Sequence, residues 1–152
     1  MDKRTIVRNQ LDDKMVNFQN AADVVPPSSG WIYAIRYAIN MSLRQLGDRL
    51  SITAQSVKEI EEREKYGTVS LKVLRQVAAA LNMKFVYGFI PVEQTLQGMI
   101  EKRAFEIAEM IVDRASIHMS LEDQKVSDEK LKRAIDMKAW EIKEKVPKML
   151  WD

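Results

Sequence analysis

The run Leu43–Ile60, LRQLGDRLSITAQSVKEI, constrains the fold of this chain more than any other stretch. It reads as a helix, a tight turn and a second helix. Leu46, Gly47, Leu50, Ile52, Val57 and Ile60 are apolar or small, and their spacing lets two short helices cross steeply over one small core. Ser42 and Thr53 each stand just before a periodic run, where a side-chain oxygen can cap a helix. Ala54, Gln55, Ser56, Lys58 and Glu59 would then face outward at the start of the second helix. In a helix-turn-helix, that part enters the DNA major groove. Taken singly, the apolar residues would be core in any helical fold, and Gln55, Ser56 and Lys58 would be solvated residues on most helices. The joint spacing, with both caps in place, carries the reading.

Residues 30–82 resemble a Cro/C1-type (XRE-family) helix-turn-helix domain. The likeness extends to the preceding WIYAIRYAINM and the following VSLKVLRQVAAALN. The family pairs an Arg of its first helix with a Glu late in the recognition helix, and Arg36 and Glu61 match those positions. Two positions depart from the pattern. The turn usually carries Gly where this chain has Ser51, and a left-handed backbone there would cost Ser about 1 kcal/mol. The helix-crossing position is usually Ala and is Gly47 here, which fits sterically but weakens the helix by about 1 kcal/mol.

Within this unit Trp31–Ile39 is the expected first helix, with Trp31, Ile35, Ala38 and Ile39 as its buried stripe. An Arg36–Glu61 ion pair would lock it to the recognition helix. Arg36 could instead meet a phosphate, but the structural role is favoured. Arg44 and Gln45 fall in the first turn of the second helix, a place suited to a phosphate. Gln55 can bind an adenine edge bidentately and Lys58 a guanine or a phosphate, pairs that discriminate by about 1–3 kcal/mol. Lys65, Tyr66 and Thr68 are placed in the following loop, whose counterparts in the resembled domain often touch the DNA backbone. The run Glu59, Glu61, Glu62, Arg63, Glu64 and Lys65 reads as a solvated helix end. Ser70 would cap the next helix, and Asn82 would end it in a left-handed conformation.

The charge distribution agrees with DNA contact. Residues 30–90 carry a net +4, residues 91–152 a net −2 and residues 1–29 none, out of +2 in all; phosphate contact needs the excess where it lies. The rest of the composition excludes classes of function. There is no cysteine and one histidine, which excludes disulfides, thiol chemistry and two-histidine metal or catalytic schemes. No nucleophile–base constellation, glycine-rich phosphate loop or metal cluster is recognisable, so neither an enzyme nor a cofactor is expected. Neither a signal peptide nor an apolar run of membrane-spanning length is recognisable, so no membrane is expected and the expected place is the bacterial cytoplasm, at the nucleoid when on DNA.

The expected fold is mainly α: the helix-turn-helix bundle, one short strand and C-terminal helices. Residues 1–25 form an amphipathic helix on the 7–11–15–18 spacing of Val7, Leu11, Met15 and Phe18; it packs on the body or serves as a basic arm to DNA. Pro26–Gly30 is a break. Residues 84–91, KFVYGFIP, read as the strand. It would pair with the same strand of a second copy through Phe85, Val86, Tyr87 and Phe89, or with a partner inside the chain. Residues 92–124 read as one long helix with a wide apolar face and 128–145 as another, with Leu131, Ile135, Trp140 and Ile142 inward. His118 reads as packing or capping, and Met149–Asp152 as an apolar tail, docked or held by a partner.

Several segments together resemble the family called mobile mystery protein A: Gly30-Trp31-Ile32 with Ala34-Ile35-Arg36 and Ala38; Ser70-Leu71-Lys72 with Leu74; Ala80-Leu81, Val86-Tyr87 and Pro91; Met119-Ser120-Leu121-Glu122-Asp123-Gln124; and Leu150-Trp151-Asp152. The resemblance implies an XRE-type regulator encoded beside a Fic-domain protein. That in turn implies a transcriptional repressor and an antitoxin to a Fic-domain toxin; the homodimer, with a palindromic operator in double-stranded DNA, would follow from the strand pairing across two copies. The usual inhibitory motif of Fic partners, Ser or Thr with Glu four places later, does not occur in this chain, so restraint would use another surface. The alternative is a protein-binding module that neutralises the toxin through its C-terminal helices, with the helix-turn-helix as scaffold.

Overall fold

The computed structural model describes residues 1–121 and 127–152, the side chain of Ser120 excepted. Helices α1 (Lys3–Met15), α2 (Trp31–Ala38), α3 (Leu43–Leu50), α4 (Ala54–Tyr66), α5 (Leu71–Ala80), α6 (Leu96–Leu121) and α7 (Asp128–Lys145) follow in order, with 3-10 turns at Val16–Ala21 and Lys148–Trp151. The chain divides into two compact units, Asp23–Tyr87 and a discontinuous one made of Met1–Ala22 with Gly88–Asp152. The expected end of the long helix at 124 and the Glu122-Asp123-Gln124 of the quoted motif lie outside the described residues.

The first unit is built on its caps. Ser42 Oγ accepts from Gln45 N at 3.0 Å while Gln45 Oε1 accepts from Ser42 N at 2.8 Å, so two orphan donors at the start of α3 satisfy each other's residues. Thr53 and Ser70 cap α4 and α5 in the same way from Ser56 N and Val73 N. The turn ending α3 sits on Ser51 at φ 57°, a left-handed residue as expected, and Asn82 has the same φ after α5. Ile32, Leu46, Val57, Ile60, Val77 and Leu81 close over one another as the core.

Gly47 does more than fit. A Cβ there would lie 2.7 Å from the Ile52 carbonyl oxygen, closer than carbon and oxygen can pack, so the crossing of α3 with its own turn admits no side chain at all. On α2 the buried face is one residue away from the expected stripe: Ile32 is buried, with Ile35 beside it, while Trp31 and Ile39 are exposed. Trp31 is the first helical residue and Ile39 lies past the last, so neither is held on the inward face by a full turn on both sides.

Residues 84–91 correct the strand expectation. Among the described residues no strand forms, and this segment runs without a neighbouring strand. Phe85 is half-buried and Val86, Tyr87 and Phe89 are exposed. Strand preference measures fit to a pleated, half-buried surface, and the protomer supplies no second strand to complete a ladder. Local contacts take its place: Phe85 stacks on Tyr87 at 6.1 Å, and the Arg75 guanidinium lies 5.5 Å from the Tyr87 ring.

The discontinuous unit is the packing of α6 on α7, with α1 against α6. Ile100, Ala104, Ile107 and Ala108 are buried with Ile142 and Leu150. The small alanines Ala104 and Ala108, at i and i+4, let the helices approach, and Phe105 turns out to be exposed. Helix α6 starts at Leu96 rather than 92 because Asp12 of α1 accepts from Leu96 N at 2.7 Å and Thr95 accepts from Gly98 N. The expected Ser127 cap of α7 is formed, accepting from Lys130 N, though Lys130 has no acceptor to complete a box. Trp140 is exposed instead of inward, and so is His118 near the end of α6. The C-terminal tail is docked: Leu150 is fully buried, and Arg103 donates to the carbonyls of Leu150 and Asp152, both at 2.7 Å. Among the described residues no helix is long and apolar enough to cross a membrane.

Candidate nucleic-acid interface

The start of α4 presents its polar residues unequally. Gln55 and Lys58 are exposed, while Ala54 and Ser56 are partly covered. Being three apart, Gln55 and Lys58 share one face of the helix. The Thr53 hydroxyl donates to Ser56 Oγ at 3.0 Å as well as capping α4, so both side chains are committed to the helix end. The Ser42 and Gln45 oxygens are committed likewise to the α3 box. The caps also take the backbone N–H groups of Ser42, Gln45 and Ser56, so what the two helix N-termini leave for phosphate oxygens is the first-turn N–H groups between cap and N3, at Leu43, Arg44, Ala54 and Gln55. Arg44, in the first turn of α3, is exposed. Of the outward set predicted at the start of α4, Gln55, Lys58 and Glu59 are exposed; Gln55 and Lys58 are the two that bring donors to base edges, as the anionic duplex favours.

Behind this surface α4 is fixed to α2. Arg36 Nε donates to Glu61 Oε1 at 2.6 Å and a second guanidinium nitrogen donates to Oε2 at 3.3 Å. The remaining terminal nitrogen donates to the Met41 carbonyl at 2.9 Å. Both side chains are largely buried, at 12% and 7% exposure. With its fork bound twice by one carboxylate and its plane 5.4 Å from the Tyr33 ring centroid, Arg36 acts on α4 and not on a phosphate.

The charged run is a solvated helix end at Glu59, Glu62, Arg63 and Lys65, which are exposed, but not at Glu61 and Glu64. Glu61 is buried in the ion pair, and Glu64 accepts from the backbone N–H groups of Trp31 and Ile32, both at 2.8 Å. A carboxylate reaching from α4 thus caps α2, whose own N-cap is Gly30 at φ 88° with no side chain to do so. The signal was in the spacing: Val57, Ile60, Glu61 and Glu64 fall at i, i+3, i+4 and i+7, one face of one helix. Arg49, also unremarked in the sequence, donates to the Ala80 carbonyl at the end of α5 at 3.0 Å.

Lys65 and Tyr66 belong to the last turn of α4, not to the loop. Lys65 lies about 16 Å along the helix from Ala54, at 1.5 Å per residue, with its ammonium 5.7 Å from the Tyr66 ring. Lys58 and Lys65 both line a cleft of about 420 Å³ between α2 and α4, together with Tyr33, Arg36, Glu61 and Glu62. Thr68 is in the loop as expected and bonds back to the Arg63 carbonyl at 3.4 Å. The predicted residues are therefore two groups on one unit, one at the N-terminal ends of α3 and α4 and one at the far end of α4. Compared with known proteins, the chain matches no family model, no curated protein and no solved structure.

Proposed function

We propose that residues 30–82 bind double-stranded DNA by sequence, with the start of α4 in the major groove. The observation that carries this reading is the pair Gln55 and Lys58. They are exposed donor side chains on a helix start where Thr53 and Ser56 are spent on the cap and whose far side is fixed by Arg36 and Glu61. In this reading Gln55 and Lys58 read bases. Arg44 and the capped N-termini at Ser42, Gln45, Thr53 and Ser56 hold phosphates, with Lys65 and Thr68 as outlying backbone contacts. The protein acts as a homodimeric repressor on a palindromic operator, since two copies read half-sites about 34–36 Å apart. The proposed context is autoregulation and restraint of a Fic-domain toxin encoded beside it, which rests on the resemblance of the segments quoted above.

A second reading has its own support. Ile117, Leu121, Met137 and Trp140 are exposed large apolar side chains on α6 and α7, the composition of a protein-binding face. There the C-terminal helices hold the toxin and the helix-turn-helix is scaffold.

Fluorescence anisotropy separates the two. A duplex from upstream of the gene is compared with a scrambled duplex over a salt series. The repressor reading expects a preference of a hundredfold or more, about 2.7 kcal/mol, on top of affinity that falls steeply with salt. Equal, weak binding to both duplexes refutes it and leaves the protein-binding reading.

A further inference from the structure

We propose that the discontinuous unit binds a free fatty-acid-type carboxylate, one acyl chain per protein, in a cavity beneath α1. The cavity has a volume of about 590 Å³, within the range of small-molecule sites. Its walls are apolar: Val7 and Leu11 from α1, Leu96, Met99 and Ile100 from α6, and Trp151 from the tail. Lys3, Arg4 and Arg8 also line it, against a single acidic residue, Asp2. Lys3 and Arg4 stand at the N-terminal end of α1, and Arg8 follows just after Val7, about 4.5 Å along the helix from Leu11 at 1.5 Å per residue. The lining therefore sets three cations beside an apolar wall, the pairing that suits an amphiphile with an anionic head.

Arg8 supplies an independent sign of the head group. Its Nε is sealed from solvent and has no hydrogen-bond partner among the described residues. Its only bond is a long one, 3.4 Å from a terminal nitrogen to Thr5 Oγ1. A guanidinium binds a carboxylate through two parallel N–H donors; with Nε covered by protein, the pair offered to a carboxylate is the two terminal nitrogens, which carry that one long bond among the described residues. The walls are held ready for a chain. Arg103 ties down the carbonyls on either side of Trp151. Val146, another lining residue, keeps a left-handed backbone at φ 41°, a strained state for a β-branched side chain that is characteristic of ligand clamps.

Calorimetric titration of the full chain with sodium dodecanoate, kept below its micelle concentration and without DNA, tests this apart from the DNA-binding reading. The expected result is one saturable site per chain, with dodecyltrimethylammonium at least tenfold weaker and acetate without measurable binding. Arg8→Met keeps the apolar stem and removes the donors, and should weaken dodecanoate at least tenfold. Val7→Trp fills the cavity from a partly exposed position and should abolish binding. No saturable binding, equal affinity for the cationic amphiphile, or undiminished binding by either folded variant overturns the proposal. Should Arg8→Met fail to fold, Val7→Trp and the cationic amphiphile still decide it.

Discussion

Replacing Arg36 with Met should cost the helix-turn-helix unit more than any other single change at its surface. The substitution leaves the Glu61 carboxylate at 7% exposure without either of its guanidinium bonds at 2.6 and 3.3 Å, and frees the Met41 carbonyl. Stranding one partner of a buried pair costs about 3–5 kcal/mol. A unit the size of Asp23–Tyr87 is stable by only about 3–10 kcal/mol, at about 0.05–0.15 kcal/mol per residue. The variant therefore sits near its unfolding threshold. Each kcal/mol moves the Tm of such a domain by about 4–8 °C, so the drop should be at least about 12 °C. Hydrogen exchange read on peptides from α2 and α4, beside a thermal melt, assigns the loss to this unit. The double variant Arg36→Met, Glu61→Leu removes both charges and should recover stability to within about 1 kcal/mol of the parent, because an apolar pair can replace a buried ion pair at little cost. A loss below about 1 kcal/mol in Arg36→Met, or a double variant no better than the single, would show that the pair does not hold α2 to α4 as described.

Gly47→Ala gains about 1 kcal/mol of helix propensity but forces a Cβ to within 2.7 Å of the Ile52 carbonyl, an overpacking that costs about 1–3 kcal/mol, for a net loss of up to about 2 kcal/mol; a urea midpoint above the parent's would refute the close approach. Glu64→Ala should lose about 1–3 kcal/mol of charge-assisted bonding to Trp31 N and Ile32 N, seen as faster amide exchange at those two residues. Gln55→Ala with Lys58→Ala should weaken operator binding at least tenfold by anisotropy and leave the melting temperature unchanged, since both side chains are exposed; normal operator affinity would sink the recognition assignment. The Glu141 carboxyl is held below its ordinary value by its hydrogen bond to Lys145 and the nearby Lys138 charge. Any stabilisation it lends is whole at neutral pH and fades as the pH falls through that lowered value; side-chain NMR titration should find it depressed, and Lys145→Met should bring it back toward normal.

Chain-local physics was legible in the sequence, and contacts across the chain were not, apart from the Arg36–Glu61 pair that the family resemblance implied. Ser42, Thr53, Ser70 and Ser127 cap the helices assigned to them, because a cap involves residues two or three apart. The left-handed Ser51 and Asn82 follow for the same reason. The apolar spacing of Leu46, Val57 and Ile60 named a core that all three occupy. Residues 84–91 misled because their composition reports affinity for a sheet without saying whether a neighbour exists. Glu64 was overlooked because its partners are Trp31 and Ile32, and a run of charges at a helix end is usually solvated. Asp12 was overlooked because the N-termini it bonds belong to Leu96 and Gln97.

The sequence by itself determined the caps at which α3, α4, α5 and α7 begin and the apolar residues of α3 and α4 that face inward, since capping and periodicity act within a few residues. It also placed the exposed pair Gln55 and Lys58 at the start of α4. Only the tertiary structure decided that Met1–Ala22 joins the C-terminal helices in one unit. It formed the Arg36–Glu61 pair that the family resemblance had named, with both bonds of the fork, and it alone set Glu64 as the cap of α2. It also brought Lys3, Arg4 and Arg8 into the lining of an apolar cavity with Trp151. Each of these joins residues tens of positions apart, and such pairings are fixed by which faces must be buried together, a choice no local stretch of the chain can record.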